Sequence, residues 1–267
     1  MKKDKKIQKL TVSDCYSVTP HMQRLVFTVD DITPFTECGA GQYIKLMFTP
    51  QGKTDLSLLG EEEKPVLRTY TIRKFSPLHQ QITVDFVKHR DLPEKTPISI
   101  NSGGYGHYFA QHAAIGDTIF MAGPGIIKPI NMDADWFLLV ADMAAIPALS
   151  VEINTLPECA KGYVVLALTS EDDMPEINIP AGVNLKLCIK GEEESLANTV
   201  EKLEWLRGRP SVWCACEFNV MKAIRRYISD QHNVERSRCY FSSYWKEGVT
   251  EDGHKVLKRE DNDAFYR

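Results

Sequence analysis

The chain is 267 residues long, 43% hydrophobic and 25% charged, an ordinary globular balance that suits two modest domains or one large one. Its formal net charge of -4 argues against a general nucleic-acid binder, which presents a basic surface. No apolar stretch follows the basic start "MKKDKKIQKL", and the longest apolar run, "WFLLVADMAAIPALSVEI", is broken by Asp142 and Pro147. Neither a secretory leader nor a membrane span is therefore expected.

Up to about Gly125 the pattern is strand and turn. "HMQRLVFTV" alternates, "GQYIKLMF" follows a glycine turn, and "VLRTYTIRKF" and "QQITVDFVKH" flank "SPLHQ", a hairpin connection. "GHYFAQHAA" reads as one helix after a glycine pair, and "GDTIFMAGP" as a short strand. Closely spaced short strands predict a β-barrel. From Trp136 the texture changes. "WFLLVAD" is a continuous apolar strand of the kind buried on both faces. A helix from Ala144 to Leu156 follows, then strands "GYVVLAL" and "VNLKLCIK" and a helix "SLANTVEKLEWLRG". Strand "SVWCAC", helix "EFNVMKAIRRYISDQHN" and strand "SRCYFSSYW" complete the set. Alternating β and α predicts a parallel, Rossmann-like sheet flanked by helices. The boundary falls in "GPGIIKPINMDAD", giving a barrel over residues 1–130 and an α/β domain over residues 131–267, the latter ending in a C-terminal tail.

Seven cysteines lack framework spacing. Cys214 and Cys216 lie close, but as C-x-C, which is not the usual metal or redox spacing. Reduced thiols in a cytoplasmic protein are the expectation. There is no Ser–His–Asp signature, H-E-x-x-H or P-loop, and no metal site is expected.

Two arginines, Arg68 and Arg73, interrupt an apolar strand, where a cation needs an anion or a route to water. Arg68 and Tyr70 share one strand face. The guanidinium can clamp a phosphate while the phenol packs on a flat ring, and Thr71, facing the other way, offers its backbone. The bland alternative is an edge strand with a surface arginine.

Arg68, Tyr70 and Thr71 as R-x-Y-T resemble the flavin signature of the ferredoxin-reductase barrel. The segment "VDFVKHRD" resembles the "DFV-x-H-x-D" of the siderophore-interacting proteins, a family of FAD-containing ferric-siderophore reductases. The resemblance recurs in order along the chain. "GPGIIKP" is similar to that family's barrel exit, "VADMAAIPAL" to its "GDETALPAI" turn, "WCACEFNVMKAIRRYI" to its "W-x-AGE" segment, and "YFSSYWKEG" to its "GYWRxG" stretch. On the barrel it implies FAD held by Arg68, Tyr70, Thr71, Asp85, Phe86, Val87, His89, Gly104, Gly106 and His107. The family's "GPASRWA" loop stands here as "GYGHYFA", with His107 at the serine position, where the start of a helix still offers N–H groups to phosphate.

On the α/β side the resemblance implies a nicotinamide site at Asp142, Ala144, Pro147, Glu171 and Glu217. The turn "ADMAAIP" lacks G-x-G-x-x-G, so backbone approach to a diphosphate is less close than in a Rossmann site. The acids in "TSEDD" favour a ribose diol and repel a 2′-phosphate, which points to NADH rather than NADPH, with reduced ferredoxin as a further donor. A ferric siderophore is the implied partner. Lys246 carries over by motif, and Lys255, Lys258 and Arg259 join it on charge, as a basic set for an anionic chelate; their bland alternative is a solvated tail. The protein is expected as a monomer.

The chemistry follows from iron. Fe(III) is held tightly by hard oxygen donors and Fe(II) much less so, so reduction releases it. A hydride carries two electrons and iron takes one, a mismatch a flavin can bridge. Two other readings stay open: a flavoprotein passing electrons between nicotinamide and a protein carrier, and a non-redox ferric-chelate binder.

Overall fold

The computed structural model describes residues 7–36, 38–88, 104–191 and 194–265. The chain divides into two compact units, Met1–Ile127 and Lys128–Arg267.

The first unit is a closed antiparallel barrel of β1 (Ile7–Thr19), β2 (Met22–Val29), β3 (Tyr43–Phe48), β4 (Val66–Ser76), β5 (Gln81–Val87) and β6 (Thr118–Gly125), in the order β1-β2-β5-β4-β3-β6. Alternation sets the register. Leu25 and Phe27, Ile44 and Leu46, and Ile82, Val84 and Phe86 point inward as one buried core. One helix, α1 (Tyr105–His112), packs into that core through Tyr105, Phe109 and Ala110. The Phe109 ring meets Phe27, Phe48 and Phe86 at centroid distances of 6.4, 6.0 and 6.4 Å. The expected β4–β5 hairpin is present, with Ser76 opposite Gln81. β1, by contrast, was not foreseen. Its inward positions include a buried Gln8 as well as Leu10 and Val12, and beyond them the strand is mostly polar.

The second unit is a parallel sheet of β7 (Trp136–Asp142), β8 (Lys161–Leu168), β9 (Gly182–Ile189), β10 (Pro210–Glu217) and β11 (Cys239–Trp245), in the order β11-β10-β7-β8-β9. Helices α2 (Ile146–Ile153), α3 (Leu196–Glu201) and α4 (Phe218–His232) lie between strands in sequence. Strand order reverses between β7 and β10, and the carboxyl ends of strands at such a reversal form the crevice where open sheets take ligands.

Two expectations are corrected here. The "SLANTVEKLEWLRG" helix stops at Glu201. The Glu201 and Glu204 carbonyls accept the Tyr227 and Tyr163 hydroxyls at 3.2 and 2.9 Å. Trp205 turns in to stack on His232 at 3.6 Å, which a continuing helix would prevent. The C-terminal tail is a helix, α5 (Glu251–Phe265). It docks mainly through polar pairs. Arg225 donates to Asp261 at 2.7 Å and the His254 ring bonds Ser243 Oγ at 2.7 Å, so no apolar stripe announced it.

Among the described residues, no helix is long and apolar enough to cross a membrane, and no group of three or more His, Cys, Asp or Glu could hold a metal ion.

Candidate functional site: a phosphate seat on the barrel and a carboxylate-lined sheet edge

On the barrel, the pleat of β4 turns Arg68 and Tyr70 to the same face, as their alternation requires. Both meet the first turn of α1. The Arg68 guanidinium lies over the Tyr105 ring at 4.6 Å and donates to the Leu67 carbonyl at 2.8 Å. It pairs with no carboxylate among the described residues. Tyr105 is pinned by its hydroxyl on the Pro50 carbonyl at 2.9 Å, and burial pushes its phenol up despite the nearby Arg68. The Tyr70 ring packs on Phe86 at 4.4 Å. Its hydroxyl occupies the space a Cβ on Gly106 would need, 1.5 Å from that position. Gly104, at φ 78°, turns the chain into α1 and leaves the helix start without a side-chain cap. A half-buried guanidinium with no carboxylate partner therefore faces the uncapped positive end of a helix, a donor set that suits a phosphate.

The other barrel candidates divide. Phe86 is buried beneath Tyr70. Thr71, buried opposite Tyr43, faces away from Arg68. His107 is half-buried in the first turn of α1, and Val87 is half-buried at the end of β5. Asp85 is engaged within the barrel. Both its oxygens are held by Arg24, at 2.6 and 2.8 Å, so it serves the barrel wall. His89 lies outside the described residues.

On the sheet, Asp142 ends β7. Its Oδ1 accepts from the N–H groups of Ala144 and Ala145 at 3.0 and 3.3 Å, and its Oδ2 from Trp245 Nε1 at 2.7 Å. Burial raises this carboxyl to about 6 against the lowering effect of those bonds. Pro147 stands at the start of α2, where its missing N–H costs nothing. Glu217 ends β10 and caps α4, accepting from Asn219 and Val220 N–H at 2.6 and 3.1 Å. Glu171 and Asp172 are exposed beyond β8, whereas Asp173 is buried and accepts from the Ser170 N–H and hydroxyl at 3.1 and 3.0 Å.

The residues of the proposed basic set are engaged to different degrees. Lys246 reaches Asn219 Oδ1 at 3.0 Å and lies over the Phe218 ring at 4.8 Å. Lys255 pairs with Asp252 at 2.8 Å and Glu251 at 3.4 Å. Lys258 bonds Ser242 Oγ at 2.8 Å and the Ser243 carbonyl at 3.1 Å, tying α5 to β11, and Arg259 is exposed. Sequence reasoning passed over Tyr105, Asn219 and Trp245. Trp245, an aromatic at a strand's carboxyl end in "YWKEG", was the one with a readable signal.

An antiparallel barrel followed by a parallel α/β sheet is the fold of the ferredoxin reductases. Residues 11–127 match the siderophore-interacting FAD-binding domain and residues 134–248 match the siderophore-interacting protein domain; the chain belongs to the siderophore-interacting protein family. It is 29% identical to the ferric vibriobactin reductase ViuB of Vibrio cholerae over 250 residues, covering 89% of this chain and 88% of that one. It is 24% identical to the NADPH-dependent ferric-chelate reductase of Escherichia coli, covering 92% and 95%. The crystal structure of the siderophore-interacting protein SipS from Aeromonas hydrophila superposes with a TM-score of 0.80 at 27% identity, covering 97% and 99%.

Proposed function

We propose that this protein is an FAD-dependent reductase of ferric siderophores that draws its electrons from NADH. The observation that carries the reading is Arg68. It is a half-buried cation with no carboxylate partner among the described residues, set over Tyr105 at the uncapped start of α1. Bound FAD would supply the redox chemistry, taking up two electrons and returning them one at a time to iron.

The chain's own residues do the rest. Arg68 and the first N–H groups of α1 hold the diphosphate. Tyr70, braced by Phe86, presents its ring to the flavin, and the Thr71 backbone runs alongside. Lys246 and Arg259, with the partly engaged Lys255 and Lys258, attract an anionic ferric chelate. Glu171 and Asp172 set the donor preference by repelling a 2′-phosphate. Support for the reaction comes from the names of the relatives, which are ferric reductases. The Escherichia coli relative is named for NADPH, so the donor is the part of the proposal to test first. Anaerobic stopped-flow reduction of the flavin should be faster with NADH than with NADPH. Equal rates, or faster reduction by NADPH, refute the role given to Glu171 and Asp172.

A further inference from the structure

The three helices that begin near the candidate sites have different starts. α1 and α2 have no side-chain cap, and α1 faces Arg68. The N–H groups leading into α2 and α4 are occupied, the first by Asp142 and the second by Glu217. Both acids stand at strand ends that flank the reversal between β7 and β10. In a dinucleotide site of this topology, the helix after the first strand gives its N–H groups to the diphosphate. Here Glu217 takes that place on α4, and Asp142 takes the two N–H groups of the turn just before α2, so that its carboxylate stands where the diphosphate would lie.

The crevice is also strapped. β10 lies between β7 and β11, so the 2.7 Å bond from Trp245 at the end of β11 to Asp142 at the end of β7 passes over the end of β10. Lys246 reaches Asn219 at 3.0 Å, and the Glu247 N–H reaches Glu217 Oε1 at 3.4 Å. Three consecutive residues are thus tied down across the crevice, two of them directly onto Asp142 and Glu217.

We infer that Asp142 and Glu217, with Trp245–Glu247 laid over them, are specificity determinants that keep a dinucleotide's diphosphate out of the sheet crevice. The nicotinamide donor then engages this unit without its diphosphate anchored at α2 or α4. Its capture is weak, and discrimination among donors rests on charge rather than on a diphosphate seat. The inference rests on the reductase reading for its meaning, but its test does not.

The test is binding of ADP-ribose, which carries the diphosphate but no nicotinamide, to the flavin-loaded full chain by isothermal titration calorimetry. Asp142→Ala frees the Ala144 and Ala145 N–H groups, releases Trp245 and removes a charge. Asp142→Asn keeps an oxygen for those N–H groups but sets an NH2 against Trp245 Nε1, so it removes the charge and the strap bond. A unit charge a few ångströms from the diphosphate is worth at least about tenfold in affinity at the effective dielectric of such a site. Asp142→Ala should therefore bind ADP-ribose at least about tenfold more tightly than wild type, Asp142→Asn should fall between them, and the gain should shrink with salt. Unchanged affinity in both variants, or tighter binding by wild type, overturns the inference. Should the alanine variant fail to fold, the asparagine variant decides by the same criterion. Retention of FAD, read separately from the flavin spectrum, tells failure of the flavoprotein reading apart from failure of this one.

Discussion

Gly106→Ala is the smallest change that should disturb the barrel site. The added Cβ would lie 1.5 Å from Tyr70 Oη, 2.6 Å from Cζ and 3.3 Å from Cε2. Ordinary contact needs about 3.5–4 Å, so the end of the phenol must move by roughly 2 Å. It cannot retreat inward, because the ring rests on Phe86 at 4.4 Å, and Phe86 is buried against Phe109. Overpacking of this kind costs about 1–3 kcal/mol, and a clash this deep belongs at the upper end. Alanine's better helix propensity returns up to about 1 kcal/mol. The net loss is about 2 kcal/mol, which in a unit of this size lowers Tm by roughly 5–10 °C. Thermal unfolding followed by circular dichroism, with and without saturating FAD, reads it. Tyr70→Phe removes the nearest clashing atom, so the double variant should recover part of the loss, with a coupling above about 0.5 kcal/mol. Gly106→Ala as stable as wild type, or strictly additive single and double variants, would refute the argument.

Arg68→Ala removes a charge-assisted bond to phosphate and should cost about 1.5–3 kcal/mol of FAD affinity, measured by fluorescence titration of the flavin-free protein; unchanged affinity removes Arg68 from the site. Lys246→Glu should slow reduction of an anionic ferric chelate and leave a neutral hydroxamate chelate unaffected, and the defect should fade with salt because exposed charges are screened over about 8 Å at physiological ionic strength. Equal slowing of both chelates, or of neither, ends its assignment. Asp142, raised to about 6 in the fold, binds its proton more tightly folded than unfolded. Its contribution to stability is therefore fully present below about pH 4 and lost as pH rises through 6, by at most about 3 kcal/mol. Asp142→Asn has no such loss, so its Tm relative to wild type should rise between pH 4 and 7; a constant difference contradicts the raised value.

Sequence pattern exposed the barrel strands wherever one face is apolar and the other polar, as in β2 and β5, and the sheet strands wherever both faces are buried, as in β7. It failed where polar groups do the packing. β1 buries Gln8 among its inward positions, and α5 docks through Arg225–Asp261 and His254–Ser243, so neither shows a clean apolar period. α3 ends early because distant tyrosines claim carbonyls at and beyond its last turn, which no local propensity encodes.

The site was legible in the same uneven way. That Arg68 and Tyr70 share a face and that Gly104 turns the chain into α1 follow from local rules; that the two elements meet was implied only by the family resemblance. The partners of Asp85 and Lys258 depend on β2 and β11, 61 and 16 residues away in sequence. A carboxylate that caps a helix, as Glu217 does, or holds the turn before one, as Asp142 does, looks in sequence the same as one that binds a ribose.

The central claim, that this chain passes electrons from FAD to a ferric siderophore, is tested most directly by the oxidative half-reaction alone. Protein loaded with FAD is reduced chemically under nitrogen, freed of excess reductant, and mixed with a ferric siderophore in the presence of an Fe(II)-trapping chelator. The flavin absorbance should return as Fe(II) appears, two for each flavin because the cofactor carries two electrons. A protein that holds no FAD, or whose reduced flavin persists beside ferric siderophore with no Fe(II) formed, would contradict the account.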